Sequence, residues 1–306
     1  MTTLSVIQPI ATAFGRTRRI LFEPFQLSKW LRLGFCAFLL GSLQPSSFGG
    51  GSSTNDSGFS GDEGSDRFEA AIAWIQNHLP LVLSVGIVLL LLLVGLGLLV
   101  TWLSSRGHFM LLDGVMHNRG AIEAPWREFR REANSLFRFR FLFGGGSVLV
   151  LLLLLGMLVL IGTPLIRSAS STPGLVVLGL VAVLLLVVWI VVVGGISLLL
   201  TDFVVPVMAL RRIPVLPAWR HVITNLVKPH PGSIALYVLV RLLLNSVLTT
   251  LAVVVTILSC CLALVPYIGS VILLPFTVFQ ISYPLAFLEQ LGADYRFFPP
   301  ERPAAA

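Results

Sequence analysis

The chain is 306 residues long, 56% hydrophobic and only 11% charged, with a mean hydropathy of +0.93, far from a soluble mix in which roughly a quarter of the residues are charged. That excludes an ordinary soluble enzyme, because lipid must supply much of the solvent. The formal charge of +7 could suit nucleic acid, but the basic residues flank apolar stretches instead of forming a basic domain, so anionic lipid headgroups are the expected partner and nucleic acid is not.

The first twenty residues, MTTLSVIQPIATAFGRTRRI, lack the basic region, apolar run and small-residue cleavage site of a removable signal peptide. A helix crossing a bilayer needs about 20 mostly apolar residues. By that criterion the sequence predicts a shorter span from Trp30 to about Phe48 and full ones at Leu79 to Leu103, Phe141 to Thr163, Leu175 to Leu200, Ser233 to Leu258 and Ile268 to Leu291. Between the first two lies PSSFGGGSSTNDSGFSGDEGSD, too poor in apolar residues to fold; positions 49 to 68 are expected to form a flexible outer loop. Its carboxylates Asp56, Asp62, Glu63 and Asp66 do not follow the spacing of an EF-hand.

The connection at 104 to 140 and the one at 201 to 232 are basic, and each brings Pro, Trp and Arg together, as APWREF and LPAWRHV. Two cytoplasmic interfacial helices are expected there, near Trp126 to Phe137 and Trp219 to Leu226, with Trp126, Arg127, Trp219 and Arg220 as anchors at headgroup depth. The two units, each a span, an inner segment and a span, also look like a parallel repeat. Arg67 and Arg167 fall on the opposite side and Arg241 within a span, leaving 18 of the 21 Lys and Arg residues on one side. Cationic loops resist translocation, so both termini are expected in the cytoplasm.

Arg241 is the candidate that the pattern does not absorb, since a cation at that depth must snorkel, pair or meet water. Asn245 is one turn further on, and Asp202 and Glu289 lie toward the same leaflet. These four form a candidate intramembrane polar cluster, serving either structural pairing or a polar substrate path. His108, Asp113 and His117 do not share one helix face and match no metal motif. No metal or cofactor is expected. The triplet Gly144 to Gly146, with Gly95, Gly97, Gly156, Gly179, Gly194 and Gly195, predicts close helix packing. Pro266, Pro275 and Pro284 predict kinks in the last span. Cys36, Cys260 and Cys261 give no disulfide framework.

EPFQLSKWLRLGF, SRGHFMLLDGVMHNRG, NSLFRFR and TDFVVPVMALRR together resemble an uncharacterised family of bacterial multi-pass membrane proteins. More loosely, the layout is similar to the membrane domain attached to some glycerophosphodiester phosphodiesterases. The resemblance implies an integral protein of a bacterial cytoplasmic membrane and carries over no functional residue. The expectation is therefore an all-α, polytopic helical protein of about six spans, residues 1 to 306 forming one membrane domain. Its role would be non-enzymatic, as a membrane component or accessory with an unidentified protein partner. The alternative is a small-solute or lipid transporter with a polar path near Arg241 and Asn245.

Overall fold

The computed structural model describes residues 5–23, 25–41, 77–167, 172–259, 265–292 and 295–298. Outside them lie the loop 49 to 68, the end of the expected first span, Cys260 and Cys261. Among the described residues the regular structure is helical, without strands. Four helices are long and apolar enough to cross a membrane: α3 (Leu79–His117), α5 (Arg130–Arg167), α6 (Thr172–Leu199), which runs on through a π turn (Leu200–Val204) into α7 (Val205–Arg211), and α9 (Pro231–Leu258). Shorter elements are α1 (Gln8–Phe22), α2 (Leu27–Gly41), α4 (Glu123–Glu128), α8 (Val215–Val222), continued by a second π turn (Ile223–Val227), α10 (Pro266–Ile272) and α11 (Leu274–Glu289).

Each long helix divides into two regions. Apolar side chains are mostly exposed from Leu79 to Leu99 on α3, Phe141 to Ile161 on α5 and Val176 to Val192 on α6, and along one face of α9 from Leu236 to Leu258. Runs of about 20 residues rise about 30 Å, the thickness of the hydrocarbon layer. Lipid also explains why the Val-rich α6 is helical despite its modest propensity, because no water is there to satisfy the backbone otherwise. At the other end the chain folds on itself: Phe109, Leu112, Leu136, Phe203, Met208, Tyr237, Tyr283 and Phe287 are buried in a common core. The two basic connections belong to this end.

The expected interfacial helix over Trp126 to Phe137 is corrected. The helix breaks at Phe129, and residues from Arg130 onward are the first turns of α5. Over Trp219 to Leu226 a separate helical segment does form, α8 with its π turn, which buries Val215, Ala218, Val222 and Leu226 against the core. The two connections nonetheless share a backbone plan. The helices α3 and α7 both end on a non-glycine residue in the left-handed region, Asn118 at φ 54° and Arg212 at φ 55°. A short helix carrying Pro, Trp and Arg follows, and then the next long helix. Val215 N–H donates to Ser135 Oγ at 3.1 Å, and Arg212 pairs with Glu128, so the two units are tied to each other.

The glycine expectation is corrected as well. A Cβ added at Gly95, Gly97, Gly144, Gly145, Gly146, Gly156, Gly179, Gly194 or Gly195 would meet nothing within 4 Å. Close approach occurs instead at Gly34, Gly107 and Gly114. A Cβ at Gly107 would lie 2.8 Å from Leu39 Cβ, and one at Gly34 would lie 2.6 Å from Val271 Cγ2. Those gaps let α2 sit between α3 and α10, where Trp30 Nε1 donates to Val271 O at 3.0 Å and Tyr267 Oη to Leu31 O at 3.2 Å. The expected last span is interrupted at Leu273. Pro266 and Pro275 each stand in the first turn of a helix, α10 and α11, and only Pro284 lies inside one, as expected for a residue without an N–H donor.

Candidate functional site

The π turn at Leu200–Val204 precedes Pro206. Proline cannot donate to the carbonyl four residues earlier and its ring crowds that group, so the helix widens locally. Asp202 sits in the widened turn and is 2% exposed. A carboxylate so far from water requires donors, and α9 supplies them from two positions one turn apart on one face. Arg241 Nε lies 2.9 Å from Asp202 Oδ2 and Nη2 lies 3.2 Å from Oδ1, a forked pair. Tyr237 Oη donates to Oδ2 at 2.9 Å. The Tyr237 ring is held by Tyr283, stacked at 5.3 Å, with Phe203 at 4.8 Å and Phe287 at 4.7 Å.

Beside this pair is a cavity of about 70 Å³ with His108, Thr201, Asp202, Arg241, Thr277 and Gln280 among its lining residues. A water molecule takes roughly 30 Å³ in the liquid, so the space suits one or two. His108 Nδ1 and Arg241 Nη1 are buried without a hydrogen-bond partner, which is what a site for bound water provides. The two units contribute matched positions to it: His108 precedes Asn118 by the same distance as Asp202 precedes Arg212.

The four residues of the expected cluster are divided. Asp202 and Arg241 meet. Asn245 accepts from Gln280 Nε2 at 3.1 Å, one turn beyond Arg241. Glu289 is bonded elsewhere, accepting from Arg16 Nη2 at 2.5 Å, while the adjacent Gln290 exchanges two bonds of 2.9 Å with the Ser5 backbone. These bonds fasten the N-terminal helix across α11. Of the expected anchors, Arg127 and Arg220 are exposed. Trp126 and Trp102 hold the Arg106 guanidinium between them, 4.5 Å from each ring, and Trp219 faces Phe139 at 6.3 Å.

The sequence reading missed Tyr237, His108 and Gln280 as members of this site. Tyr237 was accessible to it, one turn before Arg241. The other two depend on how α3 and α11 pack around the Asp202–Arg241 pair, which local spacing does not encode. Asp113 is taken by Arg119, with both contacts at 3.1 Å, and by His117 at 2.9 Å. The hydrogen bond to Asp113 and its charge hold the Arg119 guanidinium above its ordinary value. Among the described residues no three His, Cys, Asp or Glu gather in a metal-holding group.

The chain belongs to a family of unknown function, DUF7544, whose profile matches residues 4–288. No curated protein and no solved structure matches it.

Proposed function

We propose that this chain is a non-enzymatic, multi-pass component of a bacterial cytoplasmic membrane, in which the Asp202–Arg241 pair is a structural lock between its helices. The observation that carries the reading is the occupancy of the Asp202 carboxylate. Both oxygens are bonded, by Arg241 and by Tyr237, and the adjoining cavity of about 70 Å³ holds little beyond water. In the proposed topology both termini and the basic core face the cytoplasm, and the chain passes six times. The four long helices make four passes; α2 belongs to the first pass, and α10 with α11 makes the last.

A transport path is the second reading, favoured by the unpartnered His108 Nδ1 and Arg241 Nη1 at the cavity and by the Asn245–Gln280 bond that continues the polar track. Thiol chemistry separates the two, because hydrophilic maleimides react only where water reaches. In a cysteine-free background, Thr201→Cys and Thr277→Cys on the cavity wall should stay unmodified from either side of a sealed vesicle. Modification of both from one side would replace the lock with the path.

A further inference from the structure

The polar lock leaves a wide apolar groove of the described structure unused. Helix α1 is apolar on two faces. Ala13, Thr17, Ile20 and Leu21 are buried toward the core, whereas Ile7, Phe14 and Phe22 remain exposed. The exposed face forms one wall of a groove of about 950 Å³, with Leu244 and Leu248 of α9 and Pro275 and Phe279 of α11 opposite. That volume is in the range of small-molecule pockets. The α9 wall continues into the exposed apolar face of that helix, so the groove is open to the hydrocarbon layer.

One charged residue lines this apolar groove. Arg18 stands between Phe14 and Phe22 at helical spacing, on the same face. Its Nε is 3.1 Å from Glu23 Oε1, but its side chain is 71% exposed, and that single contact leaves most of its N–H donors free for another acceptor. Hydrocarbon surface along the groove with a guanidinium at its edge is the complement of an amphiphile with an anionic head.

We infer that the groove between α1, α9 and α11 binds one phospholipid of the cytoplasmic leaflet, an acyl chain lying against Leu244 and Leu248 and the headgroup phosphate on Arg18. This rests on the membrane reading above. Native mass spectrometry of the whole chain in mild detergent, with phosphatidylglycerol or phosphatidylcholine added in steps, tests it on four proteins: wild type, Val247→Trp to fill the groove, Arg18→Gln, and Val148→Trp as a control on the exposed face of α5. Wild type and the control should carry phospholipid one to one, with phosphatidylglycerol preferred. Val247→Trp should lose it. Arg18→Gln should bind phosphatidylglycerol about fivefold more weakly, the effect of one interfacial cation. Equal lipid on wild type and Val247→Trp overturns the inference, as does unchanged affinity in Arg18→Gln, or a wild-type dimer that Val247→Trp dissociates, which would give the groove to a second copy. Alkaline extraction of native membranes distinguishes the two failures. A chain that washes off removes the membrane reading itself, whereas one that stays embedded without bound lipid removes only the groove.

Discussion

A single carboxylate sets the energetics at the residue scale. Both Asp202 oxygens are satisfied by Arg241 and Tyr237, and deleting one member of a buried pair strands the other. Arg241→Ala should therefore cost about 3–5 kcal/mol, read as a fall in unfolding temperature and folded yield in detergent. Adding Asp202→Ala should recover part of that loss, the signature of direct coupling, while Glu289→Ala should add independently because Glu289 serves Arg16. Arg241→Lys should fall between, keeping the charge and losing the fork. Much of this was legible in the sequence. A lone arginine well inside an apolar run demands a partner, and Asp202 lay at the matching depth. Glu289 fitted the same depth argument, and only the crossing of α1 over α11 assigns it to Arg16.

At the scale of elements, small residues matter where backbones meet and not where they merely recur. Sequence spacing cannot separate the two cases, because glycines facing lipid and glycines facing a helix look alike. Gly107→Ala would bring a Cβ to 2.8 Å from Leu39 Cβ and 3.1 Å from the Leu39 carbonyl carbon. Backbone cannot swing aside as a side chain does, so α2 must shift, at about 1–3 kcal/mol. Gly97→Ala meets open space and should leave stability unchanged, and side-by-side thermal melts of the two variants check the contrast. The prolines were more legible. A missing N–H acts locally, so Pro266, Pro275 and Pro284 marked the last expected span for distortion, whereas the helix starts at Pro266 and Pro275 were not read from them, and the break into two helices also required the seat that α2 provides for α10.

At the scale of the whole molecule, hydropathy and charge agree on one arrangement. Four apolar helix runs rise from a core that gathers the basic connections, and the proposed cytoplasmic orientation of those connections rests on that asymmetry. Composition alone conveyed the class, because runs of about 20 apolar residues have few other uses. It did not convey that α2 and α11 pack largely against protein, since an apolar helix facing lipid and one facing a core have the same average content. The most direct test of this arrangement is thiol labelling of single cysteines, in a cysteine-free background, with an impermeant reagent. Glu123→Cys, on the exposed face of α4, should label only after the membrane is permeabilised, and Ser57→Cys should label in intact cells. Labelling of Glu123→Cys in intact cells, with Ser57→Cys protected, would contradict the account.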